Sequence, residues 1–100
     1  MNKTISVKET KEKPDAELID VRTPEEFQEE HIKNSINIPL NILPNFIENI
    51  SKIKKEIILI CRSDNRARIA QNFLDKNNIN SRVMIGGIMQ WQNQKYPLEF

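Results

Sequence analysis

Four consecutive branched aliphatic residues, Ile57-Ile58-Leu59-Ile60, leave no side for water and end at the chain's single cysteine, Cys61. A strand alternates its side chains between two faces, so a run apolar on both must be covered from above and below. That is the position of a central strand in a parallel sheet carrying helices on each face. Neighbouring segments agree. Leu18-Ile19-Asp20-Val21 reads as a short strand and runs into Thr23-Pro24-Glu25-Glu26. There Thr23 can cap a helix, Pro24 suits the first helical position, and Glu26 can complete a capping box. Ser35 to Ile38 reads as another strand, closed by Pro39, which cannot donate to a ladder. Ala67, Ala70, Phe73, Leu74 and Asn77 share one helical face within 66–77, with Asn77 and Asn78 suited to a left-handed helix end. Arg82 to Ile85 reads as a last strand, Gly86-Gly87 as a tight turn, and Ile88 to Gln92 as a short helix. Ile5 to Val7 reads as an edge strand, followed by a polar connection from Glu9 to Lys13. Leu43, Phe46, Ile47, Ile50 and Ile53 recur as the stripe of one amphipathic helix. The expected fold is α/β, a central, mostly parallel sheet of about four to five strands with helices on both faces.

One hundred residues suit a single domain over 1–100. A net charge of +1 argues against a nucleic-acid surface, and Lys52, Lys54 and Lys55 read as a solvated helix face. No apolar run approaches the ~18 residues of a membrane span, so no membrane partner is expected. Residues 1–6 show no export signal, and one cysteine cannot form an internal disulfide. Both point to the cytoplasm. One cysteine and one histidine offer no metal-ligand spacing, and Walker and dinucleotide glycine patterns are missing, so neither metal nor cofactor is expected.

Chemistry concentrates at Cys61. It ends the most buried expected strand, and in open α/β sheets ligands gather beyond the carboxyl ends of strands. The segment Cys61-Arg62-Ser63-Asp64-Asn65-Arg66 forms a short loop before a helix. Backbone amides in such a loop, with a helix N-terminus behind them, make a concavity for anions. A thiolate is an anion, and the thiolate is the nucleophilic form of cysteine. Arg62 and Arg66 add charge that does not titrate away. A buried structural thiol is the alternative, but two arginines and a nearly all-polar loop favour a reactive one.

Three blocks carry a family resemblance. Leu18 through Phe27, with His31-Ile32 and Ile36-Asn37-Ile38-Pro39, resembles the N-terminal signature of rhodanese domains. Cys61 through Ala67 resembles their active-site loop. Gly86-Gly87-Ile88-Met89-Gln90-Trp91, with Tyr96-Pro97, resembles their C-terminal signature. The resemblance implies a rhodanese-like fold and transfer of sulfane sulfur through a persulfide on Cys61. It implies a cradle formed by Arg62, Ser63, Asp64, Asn65 and Arg66, and structural support from Asp20 and Arg22. The implied partners are a small sulfur donor and a thiol acceptor, or a protein persulfide. Related cysteine phosphatases have five residues between cysteine and arginine. Here four intervene, the shorter loop the family associates with sulfur.

Two positions depart from the pattern. Asp64 stands where active single-domain members commonly carry glycine; it is expected to face outward or cap the following helix, although a carboxylate facing inward would oppose an anionic donor. Ala67 replaces a common hydroxyl residue. These departures leave a second reading, a non-turnover sulfur carrier, sensor or docking module. His31 is expected to be structural, and Trp91 with Ile88 to pack in the core.

Overall fold

The computed structural model describes residues 3–100; Met1 and Asn2, within the segment searched for an export signal, lie outside the described residues. Its sheet has five parallel strands: β1 (Thr4–Ile5), β2 (Glu17–Asp20), β3 (Ile36–Asn37), β4 (Ile57–Ile60) and β5 (Arg82–Met84). They lie in the order β1-β5-β4-β2-β3, which puts the all-aliphatic strand in the middle. In the β2–β4 register Leu18 faces Ile58 and Asp20 faces Ile60. The helices are α1 (Val7–Lys11), α2 (Pro24–Glu29), α3 (Ile47–Ser51), α4 (Asn65–Lys76) and α5 (Gly87–Asn93).

Strand β4 divides two hydrophobic cores as its sequence requires. Ile57 and Leu59, with Cys61 beyond them, join Ala67, Ala70 and Leu74 of α4 and Leu43 and Ile50 on one face. Ile58 and Ile60 join Ile5, Val7, Ile88 and Trp91 on the other. Trp91 also donates its indole N–H to the Pro97 carbonyl, 2.9 Å away. Among the described residues no helix is long and apolar enough to cross a membrane. Nor does any group of three or more His, Cys, Asp or Glu side chains stand ready for a metal ion.

Three sequence readings are corrected. The polar connection at Glu9–Lys13 is mostly helix α1, and the first strand stops at Ile5. Ser6 and Glu9 form a capping box, with Ser6 Oγ accepting from Glu9 N at 3.0 Å and Glu9 Oε1 accepting from Ser6 N at 3.1 Å. Val7 and Thr10 are the buried anchors of that helix. The stripe from Leu43 to Ile53 is not one α-helix: Leu40–Phe46 is a 3-10 segment containing Pro44, and only Ile47–Ser51 is α-helical. A proline in a helix interior lacks the N–H and crowds the preceding turn, which excludes a continuous α-helix here. Lys52, Lys54 and Lys55 follow α3 rather than forming its face, although all three are exposed.

Candidate active site

Helix α2 begins as its sequence requires, with Thr23 Oγ1 accepting from Glu26 N at 3.2 Å and Glu26 Oε1 accepting from Thr23 N at 3.0 Å. The start of α2 and the N-terminus of α4 lie at the carboxyl end of the sheet, and Cys61 sits immediately beyond β4. Its residue is only 1% exposed, and its sulfur accepts a hydrogen bond from Ala67 N at 3.4 Å. The position that lacks a side-chain hydroxyl therefore supplies a backbone donor. That donor belongs to the first turn of α4, where the helix dipole presents its positive end.

The loop is pinned from the opposite side by the N-terminal turn of α5. Ile88 N donates to the Cys61 carbonyl at 2.9 Å and Met89 N donates to the Arg62 carbonyl at 3.1 Å. Amides that a helix start would leave unsatisfied thus find partners in two loop carbonyls. Gly87 makes the approach possible. A Cβ there would overlap the Cys61 carbonyl oxygen and the Arg62 backbone, and its φ of +57° independently favours glycine.

Asp64 closes the same contact. Its Oδ1 accepts from Gly86 N at 2.8 Å, and it makes no side-chain cap to α4. The carboxylate is therefore neither free in solvent nor a helix cap; it straps the loop to the turn before α5. Arg62, Ser63 and Asn65 are exposed, so the rim of the loop is polar while its sulfur is sunken.

Arg66 is half-buried and bound in a fork by Glu26, with Nη1 to Oε1 at 2.6 Å and Nη2 to Oε2 at 3.0 Å. This pairing, chiefly the Arg66 hydrogen bonds, holds the Glu26 carboxyl down at about 2, and it raises Arg66 in turn. The Asp20 carboxylate also favours the guanidinium, as a thiolate at Cys61 would. Glu26 is the site residue that sequence reasoning missed. Its capping role was legible, but nothing local marks a partner 40 positions away.

Asp20 and Arg22 form a second forked pair, buried at 0% and 4% exposure. Arg22 Nε donates to Asp20 Oδ1 at 3.0 Å, and Nη2 donates to Asp20 Oδ2 at 2.9 Å and to the Glu30 carbonyl at 2.7 Å. Asn37 Nδ2 donates to the carbonyls of Asp20 and Arg22. These bonds brace the β2–α2 turn, and the Asp20 charge also acts on Arg66 of the Cys61 loop. His31 stacks on Phe27 with ring centroids 4.0 Å apart, and its Nδ1–H donates to the Phe27 carbonyl at 2.8 Å. Its Nε2 lies 3.7 Å from Glu99 Oε1, and the two backbones exchange hydrogen bonds at 2.9 and 2.7 Å, which ties residue 99 to the segment following α2.

Comparisons with known proteins place this geometry in a wider set. The family model described as rhodanese-like domain matches residues 4–94. A Bacillus subtilis protein named "Putative sulfurtransferase YtwF" is 34% identical over 99 residues, covering 95% of each chain. The "Adenylyltransferase and sulfurtransferase uba4" of Ogataea parapolymorpha is 38% identical over 82 residues, 80% of this chain but only 21% of that longer protein. Among solved structures, a rhodanese-related protein from Thermoplasma volcanium superposes with a TM-score of 0.90 at 32% identity over 97% of both chains.

Proposed function

This chain belongs to the rhodanese-like domain family, and from that membership we propose that it is a sulfurtransferase using Cys61 as its sulfur acceptor. The Cys61 thiolate attacks the outer sulfur of a donor such as thiosulfate, a polysulfide or a protein persulfide. A bond forms from Sγ to that sulfur while the donor's sulfur–sulfur bond breaks, so thiosulfate leaves as sulfite and a persulfide leaves as a thiolate. The terminal sulfur of the Cys61 persulfide is then taken by cyanide in an assay or by a thiol in the cell.

The observation that carries this reading is the placement of Sγ at the end of the central strand, under the first turn of α4, with the Ala67 amide donating to it. An anion held there meets fixed N–H dipoles that need no reorganisation as charge builds on sulfur. Arg62 and Ser63 provide the exposed rim through which a donor enters. Thiocyanate formation from thiosulfate or polysulfide with cyanide tests the proposal. Turnover well above that of Cys61→Ser is the expected result, and equal rates for the two proteins would overturn it.

A second reading, a carrier that holds sulfur without turnover, draws on the 1% exposure of Cys61, which restricts access to the sulfur. Discharge separates the two: an enzyme loses its added sulfur rapidly to cyanide or thiols, whereas a carrier keeps it.

A further inference from the structure

Cys61 is the only cysteine in this 100-residue sequence, so the sulfur it binds passes to an acceptor that the sequence does not itself contain. A cleft of ≈ 490 Å³ opens at the same carboxyl end of the sheet, between the start of α2 and the 3-10 segment; Cys61 itself does not line it. Val21, Pro24, Pro39 and Leu40 give the cleft its apolar lining, joined by the exposed Asn41 and by Arg66. Two of these residues connect it to the reacting sulfur. Val21 packs in the same core as Cys61 and donates its amide to the Ile60 carbonyl at 2.8 Å, while Arg66 ends the Cys61 loop. The volume falls in the range of roughly 300–1,000 Å³ that accommodates small organic ligands. Its electrostatics are restrictive. Arg66 is the one cation among the lining residues, its charge is matched by Glu26, and Glu25 adds a further carboxylate to the wall. A depression lined by Lys13, Asp15, Lys55 and Glu56 among others lies before β2 and β4, at the opposite end of the sheet from Cys61.

We propose that this cleft binds the carbon skeleton of the acceptor thiol, and that the preferred acceptor is uncharged and apolar around its sulfur. The proposal rests on the Cys61 persulfide reading and adds the class of acceptor to it. Seated with its carbon chain along Val21, Pro39 and Leu40, the acceptor thiolate attacks the outer sulfur of the Cys61 persulfide. A new sulfur–sulfur bond forms on the acceptor, the bond to Sγ breaks, and Cys61 leaves as the thiolate. The acceptor departs as a persulfide, and no outside oxidant or reductant is consumed.

The test loads the full-length protein with polysulfide and follows the loss of the added sulfur by intact mass. The acceptors are neutral hydroxyalkanethiols with two, four or six carbons, the dianionic mercaptosuccinate, and cyanide. Each thiol's rate is normalised to its rate with a small-molecule persulfide in solution. The normalised rate is expected to rise about fourfold for each methylene that becomes buried, the factor corresponding to ~0.8 kcal/mol per methylene. Mercaptosuccinate falls below the two-carbon thiol. Leu40→Gln flattens the chain-length series relative to cyanide, and Asn41→Trp, at an exposed position, slows the six-carbon thiol more than the two-carbon one. A flat series in the native protein, or an unchanged series in both variants, with cyanide discharge intact, overturns the cleft proposal alone. A protein that takes up no sulfur, and so gives none to cyanide, overturns the Cys61 reading and the cleft proposal with it.

Discussion

Asp20–Arg22 and Glu26–Arg66 are both forked carboxylate–guanidinium pairs at the same end of the sheet, yet their surroundings give them different work. In the first, the side chains are 0% and 5% exposed, and further bonds run to the Glu30 carbonyl and from Asn37 to the Asp20 and Arg22 carbonyls. In the second they are 25% and 31% exposed, and the arginine belongs to the loop that carries the reacting cysteine. A buried pair has already met the cost of leaving water and tolerates the loss of neither member. A half-exposed pair retains much of its solvation, so the loss of one partner moves charge in the site more than it destabilises the fold. The closed pair is scaffold. The open pair sets how much positive charge the loop shows to a substrate.

Substitution of one carboxylate at a time breaks this comparison, and the largest effect belongs to the closed pair. Asp20→Asn leaves the Arg22 guanidinium buried without its counter-charge, with an expected loss of about 3–5 kcal/mol in unfolding free energy. Urea denaturation measures it; a loss below about 1 kcal/mol would show the pair to be dispensable. Glu26→Gln is expected to cost about 1 kcal/mol, because the bonds to Arg66 are charge-assisted but half-exposed. Its sharper signature is in acid. Glu26 titrates at about 2 in the folded protein against an ordinary 4.5. Its stabilising contribution is therefore complete above pH 4.5 and is lost as pH falls through about 2. Denaturation series across that window should slope less steeply for Glu26→Gln than for the native protein, and parallel slopes would contradict the assignment.

The smallest change in stability is expected at Asp64. Asn keeps an oxygen to accept from Gly86 N and removes only the charge, so unfolding should shift by less than about 0.5 kcal/mol. The activity effect should depend on the donor. Thiosulfate turnover is expected to rise about threefold relative to polysulfide turnover, the order of one unit charge acting across a solvated site. Equal changes for both donors would show that Asp64 acts only as a strap.

What the sequence disclosed follows from how local each signal is. The two-sided apolar run at Ile57–Ile60, the Thr23–Glu26 capping box and the left-handed Asn78 (φ 61°) are written in a few adjacent residues. Helix α1 was equally local but was hidden by its polar composition, since Ser6 and Glu9 look like loop until they are recognised as a reciprocal cap. Pro44 marked the break in the 43–53 stripe, although the spacing of aliphatic residues continues through it. Cys61 and its loop were legible as a block. The contacts that shape the block were not, because Glu26 on Arg66, Gly86 on Asp64 and the α5 amides on the loop carbonyls arise only when distant segments meet.

The central claim rests on a sulfur almost out of reach of solvent that nevertheless exchanges atoms with donors and acceptors. Intact mass of the protein before and after polysulfide, and again after cyanide, tests it most directly beside Cys61→Ser. The expected record is a gain of one sulfur atom in the native protein, removed by cyanide, with no gain in the variant. A native protein that gains nothing, or a variant that gains as much, would contradict the account.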